Sequence, residues 1–335
     1  MDHQNPGHPQ QTRLVIGAGP IGAGLAAHLA EAGDRVRLLS RSGRGPEHPS
    51  IERVAVDATD AAALTSAAAG TATIFNCANP GSYEHWEREW PPLAQAILAA
   101  AEASGAVLVT FGNLYGYGAP DGPMTRATPL RPNDHKGALR ARMWADALAA
   151  HEAGRVRATE VRATDYLGPT EPTTNGMLPR YANDTLRGRP ASVFTDVDQP
   201  HSWAYDGDIV RTLAAVADDA RAWGSAWIVP TNPPMTMREL LRELGSVVGT
   251  GEPRLRRVPR WQLAALGAVV PVVRELRGVA YQFDAPFVSD GSETTDRFGI
   301  APTPWEDVLP PTARAWHERA RRLIVVGAEY PTPQN

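Results

Sequence analysis

Along the first half of the chain, short runs dense in aliphatic and β-branched residues alternate with longer Ala-rich segments in which apolar positions recur every three to four residues. The runs fall at 13–17 (RLVIG), 35–39 (RVRLL), 51–56 (IERVAV), 71–76 (TATIFN), 106–111 (AVLVTF) and 155–164 (RVRATEVRAT). Between them the periodicity predicts a helix from about Pro20 to Ala32, with Ile21, Leu25 and Leu29 on one stripe, and further helices over 60–69 and 86–103. A fourth helix starts near Lys136. Strands that alternate with helices predict an α/β fold, a doubly wound parallel sheet with both faces covered. After Leu167 the pattern loosens into Pro, Gly, Thr and Asn.

The start of that fourth helix breaks two local rules. In "PNDHKGALR" (132–140) either Asn133 or Asp134 is a suitable N-cap, which puts Lys136 in the first turn. Positive charge there opposes the helix dipole, and Arg140 repels Lys136 across one turn, each effect costing a few tenths of a kcal/mol. Such a conflict marks either a functional site or a solvated face.

Composition narrows the class. The chain has 335 residues, 43% of them hydrophobic, and a formal net charge of −4, so it has core-forming capacity and no electrostatic footprint for nucleic acid. Cys77 is the single cysteine, which excludes an internal disulfide and suits a reducing compartment. Residues 1–11 read as a flexible polar tail without the apolar segment of a signal peptide, and the apolar run 263–273 is too short to span a bilayer. A soluble, cytoplasmic protein with no membrane partner is expected. No group of His, Cys and carboxylate residues has metal-ligand spacing.

"VIGAGPIGAGL" places Gly17, Gly19 and Gly22 in a G-x-G-x-x-G pattern between the first strand and the first helix. Gly17 permits the tight turn, Gly19 lets the backbone approach a pyrophosphate, and Gly22 lets the helix pack on the strand. Pro20 and Ile21 then open a helix whose N–H groups face the anion. At the end of the second strand an acidic residue would accept from the 2′-hydroxyl of NAD. Ser40 and Arg41 stand there instead, with Arg44 nearby, which favours the 2′-phosphate of NADP over NAD. Asp57, followed by Ala58, is suited to accept from the adenine amino group, to cap the next helix, or both.

With these residues the chain resembles the extended short-chain dehydrogenase/reductase superfamily, its NAD-dependent epimerase/dehydratase group. The resemblance runs from about Arg13 to Trp316 and rests on the glycine loop together with "TIFNCANP", "GNLYGYGAPDGPMTRATPLRP", "VRATDYLGP", "HSWAYDGDIVRTL", "TNPPMTMREL" and "VSDGSETTDRFGIAPTPWEDVL". It implies that Cys77, Ala78 and Asn79 pass the cofactor ribose and that a small-molecule substrate sits over the nicotinamide. It also implies a possible homodimer and a chain that crosses between two parts. Residues 12–168 with 200–229 would form the Rossmann part, and 169–199 with 230–322 the smaller C-terminal substrate-binding part.

The family carries Tyr-x-x-x-Lys on the fourth helix. Here Lys136 stands at the Tyr position and Arg140 at the Lys position, while Asn113 matches the family's Ser or Thr. Arg140 can hold ribose hydroxyls but cannot exchange protons. Two residues are candidates to replace the tyrosine: Lys136, with its pKa lowered by burial and neighbouring positive charge, or Tyr115, with a cation nearby to lower its pKa. The expected activity is an NADP-dependent oxidoreductase or epimerase. A nucleotide-binding sensor and a non-redox catalyst in the same cleft are the alternatives. Among other residues, Tyr117 suits the family's structural Tyr-Gly slot and His135 the surface. His85 and Trp86 suit the substrate entrance or a helix start, and Arg180, Tyr181, Arg187 and His201 are polar residues of the lid.

Overall fold

The computed structural model describes residues 10–81, 83–170, 176–259, 262 and 278–328. The chain runs β1 (Thr12–Ile16), α1 (Pro20–Glu31), β2 (Arg35–Ser40), β3 (Ile51–Ala55), α2 (Ala61–Ala68), β4 (Thr73–Asn76), α3 (Trp86–Ser104), β5 (Val107–Asn113), α4 (His135–Glu152), β6 (Arg157–Ala163) and β7 (Tyr166–Leu167). It continues through α5 (Met177–Thr185), β8 (Ala191–Val193), β9 (Pro200–His201), β10 (Ala204–Tyr205), α6 (Asp206–Asp218), β11 (Ala226–Ile228) and β12 (Met235–Thr236). The last elements are α7 (Met237–Val248), β13 (Leu255–Arg257), α8 (Tyr281–Asp284), α9 (Ser292–Phe298) and α10 (Trp305–Ala328).

Seven strands form one parallel sheet in the order β11-β6-β5-β4-β1-β2-β3. Period-two alternation splits their side chains between two cores. Val15, Val36, Leu38, Phe75, Val109 and Val161 pack with Leu25 and Leu29 of α1 and Ile209, Leu213 and Val216 of α6. Leu14, Ile16, Ile74, Leu108 and Ala158 face the other way, onto α2, α3 and α4. Burying each large aliphatic side chain contributes about 1.5–3 kcal/mol, and cover on both faces explains why the strands read as continuous apolar runs. The fold is the doubly wound Rossmann type. Strand order reverses between β1 and β4, which opens a crevice at their carboxyl ends.

β5 extends through Asn113, two residues beyond the apolar run, and the seventh strand is the three-residue β11, too short to stand out in the sequence. A third apolar cluster gathers Met177, Leu178, Tyr181, Trp203, Leu240, Leu244, Phe283, Val308 and Trp316 around α5, α7, α8 and α10. Trp261 and the apolar run 263–273 lie outside the described residues, as does the tail up to residue 9. Among the described residues no helix is long and apolar enough to cross a membrane, and no group of His, Cys and carboxylates could hold a metal.

Candidate active site

A cleft of about 1300 Å³ opens over the carboxyl ends of the sheet. Its floor is the glycine loop. Gly17 has φ +99° and bonds back to β2 through its N–H to Leu39 O at 2.8 Å. A Cβ on Gly17 would lie 2.8 Å from Cys77 O, and one on Gly22 would collide with Gly17 O. These two glycines are therefore required by the fold. Gly19, the N-cap of α1, is different: a Cβ there meets nothing within 4 Å and would project into open space. Pro20 at the first helical position costs no hydrogen bond, so the following N–H groups remain for an anion. This cradle fits a dinucleotide pyrophosphate. Pro20 and Ile21 line the cleft with the loop, and Cys77, Ala78 and Asn79 continue its lining after β4, against Gly17. Burial pushes the Cys77 thiol up to about 12, so it is an inert wall residue.

Ser40, Arg41 and Arg44 line the far end of the cleft with Asp57 and Ala58. Arg41 is exposed, and Ser40 donates its hydroxyl to Arg44 O at 3.1 Å. Asp57 does not cap α2, because Asp60 occupies that position and accepts from Ala62 and Ala63 N–H. Asp57 instead accepts from Thr59 N–H at 3.0 Å and Thr59 Oγ1 at 2.8 Å. These bonds, with Arg41 adding its charge, hold the Asp57 carboxyl below the usual range.

Asp134 is the N-cap of α4, its Oδ1 accepting from Gly137 N–H at 2.7 Å. A side chain on Gly137 would collide with Tyr115 O, so glycine lets the helix start against the turn that follows β5. Lys136 is fully buried and Arg140 is 7% exposed, which rules out the solvated-face reading of this turn. Lys136 Nζ lies 5.3 Å from the centre of the Tyr83 ring, within cation–π range. Lys136 therefore stands behind Tyr83 rather than on the cleft wall. The Arg140 guanidinium stacks on Trp90 at 4.7 Å and donates to Phe111 O at 2.7 Å. Burial lowers its pKa, yet it remains a cation. Its Nε is buried with no hydrogen-bond partner at the cleft, a donor suited to a ribose hydroxyl.

Tyr115 does reach the cleft. Its hydroxyl is 2.9 Å from that of Tyr83, and its ring stacks on Trp86 with centres 6.2 Å apart. Burial, then the neighbouring Tyr83 and Asp165, push the Tyr115 phenol well above its ordinary value. Burial likewise takes Tyr83 and Tyr166 up to about 12. The expectation that a cation lowers the Tyr115 pKa is thus reversed, because Lys136 faces the Tyr83 ring while burial and Asp165 oppose the phenolate. A phenol held neutral is a hydrogen-bond donor rather than a base at neutral pH. Asn113 accepts from Tyr115 N–H through its Oδ1 at 3.2 Å, which leaves its amide NH₂ as the donor toward the cleft.

Several expectations change. Tyr181 is 1% exposed within the third apolar cluster, and Arg187 donates to Ala320 O at 2.8 Å, so both are structural rather than lid contacts. His201 is buried and pairs with Asp165 at 3.1 Å, while Arg180 and His135 are exposed. Tyr117 fills a structural slot, accepting from Arg162 at 2.8 Å. Trp86 both begins α3 and lines the cleft. Tyr83, Asp165, Tyr166 and Gln282 also line the cleft and carried no sequence signal, since they arrive from three separate stretches of the chain.

Comparison with known proteins agrees with this architecture. An epimerase from Methanothermobacter thermautotrophicus has a TM-score of 0.77 at 18% identity, with 95% of each chain covered. A dTDP-glucose 4,6-dehydratase from Streptomyces venezuelae, with NAD bound, gives 0.75 at 21% identity, covering 93% of this chain and 98% of that one. A UDP-glucose 4-epimerase from Thermotoga maritima, with UDP-glucose, gives 0.75 at 16% identity, covering 92% and 99%. No curated protein sequence matches the chain. The profile of the NAD dependent epimerase/dehydratase family matches residues 13–228, more than half of the chain and the whole of the parallel sheet, and the chain belongs to that family.

Proposed function

We propose that the cleft binds a nicotinamide dinucleotide, NADP in preference to NAD, and carries out oxidoreduction or epimerisation at a carbonyl or carbinol carbon of a small organic substrate. The observation that carries this is the cradle after β1, where Gly17 and Gly22 are fixed by packing but Gly19 faces open space. When bound, the nicotinamide supplies or accepts the hydride. The chain's own residues position and polarise. Arg140 Nε meets a ribose hydroxyl, Asn113 donates to the substrate oxygen, and Tyr115, tied to Tyr83, supplies the phenol that α4 lacks. Lys136 supports the pair from behind the Tyr83 ring.

Residues 12–168 with 200–229 hold the nucleotide in this reading, and 169–199 with 230–322 the substrate. The similar structure from T. maritima holds UDP-glucose and that from S. venezuelae is a dTDP-glucose 4,6-dehydratase, and the end of the cleft near Thr170, Gln282 and Trp316 is where we place the substrate. NADP is favoured because positions 40–46 carry Arg41 and Arg44 and no carboxylate. A sensor that binds nucleotide without turnover is the second reading, and the lack of any tyrosine on α4 favours it.

Nicotinamide fluorescence separates these. NADPH is expected to bind more tightly than NADH, and Arg41→Ala to weaken NADPH roughly tenfold to hundredfold, the loss of a charge-assisted bond worth about 1.5–3 kcal/mol. NADH binding should be unchanged in that variant. Failure of both nucleotides to bind would overturn the reading. Binding without reduction of any member of a carbonyl panel would favour the sensor.

A further inference from the structure

His201 is buried behind the cleft, its side chain 2% exposed, and Asp165 stands between it and the cleft with its side chain 22% exposed. Three polar neighbours meet the imidazole. Nδ1 is 3.2 Å from Gln282 O, and Nε2 is 3.1 Å from Asp165 Oδ2 and 3.4 Å from Thr164 Oγ1. The carbonyl can only accept. The Thr164 hydroxyl already donates its hydrogen to Ser202 O at 2.9 Å, so it too presents a lone pair. A neutral imidazole has one N–H, and Gln282 O takes it. Without a further proton, the lone pair on Nε2 would face a carboxylate. Buried polar groups are rarely left in such opposition.

One more proton therefore belongs between Nε2 and Oδ2, either on the imidazolium or on the carboxyl. The ring environment suits the imidazolium. His201 stacks on Phe283 with centres 4.7 Å apart and planes 1° from parallel, and lies 4.4 Å from Trp203 and 5.4 Å from Phe287. Aromatic faces stabilise a cation, and the paired carboxylate offsets its desolvation.

We propose that Asp165 and His201 form a proton-holding pair for the cleft, with Asp165 as the proton-transfer group and His201 as its buried positioning residue. The proposal rests on the hydride-transfer reading above and adds a proton-transfer group beside the phenols of Tyr83 and Tyr115, which burial keeps neutral. In the reducing direction the carbonyl carbon takes a hydride from a reduced nicotinamide, and the oxygen takes one proton. That proton leaves the Nε2–Oδ2 bridge, the pair is left as carboxylate and neutral imidazole, and cleft water restores it. In the oxidising direction the unprotonated pair takes the hydroxyl proton. Tyr83 before α3, Tyr115 after β5, Tyr166 on β7 and Tyr281 on α8 face Asp165, and behind them stand Asp134 and Lys136 at α4, beside Tyr83, and Asp206 on α6, beside Tyr166.

The test is the nitrogen spectrum of ¹⁵N-histidine-labelled protein across pH, with His201→Gln assigning the resonance among the nine histidines. Both His201 nitrogens should carry protons near neutral pH. Asp165→Asn should reduce the protonated fraction of His201 at neutral pH, the usual effect of removing an adjacent opposite charge. Saturating NADP⁺ should move the midpoint of that protonation in the wild type. A His201 unprotonated at Nε2 throughout the folded range, or a protonated fraction unchanged by Asp165→Asn, would overturn the pair. A midpoint unmoved by NADP⁺ would overturn its role in the cleft. Displacement of fluorescent NADPH by NADP⁺ on the same protein then shows whether the nucleotide was bound, so failure of the pair and failure of the hydride-transfer reading are told apart.

Discussion

Gly19→Ala should leave the protein folded and impair nucleotide binding. Gly19 has φ −72° and ψ −179°, a conformation open to alanine without strain, and its added Cβ would meet no atom within 4 Å. Alanine is a poorer N-cap than glycine by up to roughly 1 kcal/mol, while the stiffer unfolded chain returns about 0.4–1 kcal/mol, so stability should stay within about 0.5 kcal/mol of wild type. The methyl group stands where a pyrophosphate must approach the first turn of α1. Losing one hydrogen bond to a charged group costs about 1.5–3 kcal/mol, or about tenfold to hundredfold in affinity. Gly17→Ala makes the contrast. Its φ of +99° alone costs about 1–3 kcal/mol in any side-chain-bearing residue, and its Cβ would sit 2.8 Å from Cys77 O, so it should lose stability as well as binding. Thermal unfolding and NADPH titration on both variants check this. Gly19→Ala binding as tightly as wild type would refute the placement of the nucleotide, and a large loss of stability in that variant would refute the claim of open space.

Other outcomes follow from the same geometry. Asp134→Ala removes the α4 cap and should cost about 0.5–2 kcal/mol in denaturant unfolding, while Asp134→Asn retains most of it. Tyr83 and Tyr166 have folded pKa values near 12, and Tyr115 is also raised, above an unfolded value of about 10. Their stabilising contribution is present below pH 10 and lost as pH rises toward 12, because only the unfolded phenols release protons there. Unfolding midpoints should fall over that window, and phenolate absorbance of the folded protein should report fewer than all eight tyrosines. Cys77, pushed up to about 12, should resist alkylation near neutral pH until the protein unfolds.

The sheet and the glycine loop were legible because both are local. Period-two and three-to-four-residue patterns select strands and helices, and the spacing of Gly17, Gly19 and Gly22 reports one turn. The helix start at Asp134 was legible for the same reason, but the burial of Lys136 and Arg140 was not. Sequence pattern treats two cations on one turn as a polar face, and only packing shows that Tyr83, Trp90 and Phe111 O receive them. The tyrosine pair joins residues 32 positions apart, and Asp165 and His201 stand 36 apart. Their partnership depends on how the β4–α3, β5–α4 and β6–β7 connections and β9 converge, which no local period encodes. The direction of the Tyr115 shift depends on the same convergence, since burial and Asp165 outweigh a cation aimed at another ring.

The most direct test of the account is a crystal structure with NADPH bound. The account predicts a pyrophosphate over Gly19, a 2′-phosphate against Arg41, and a nicotinamide ring whose reactive face looks toward the hydroxyl of Tyr115 and the carboxyl of Asp165. A nucleotide seated elsewhere, or a nicotinamide turned away from Tyr115 and Asp165, would contradict it.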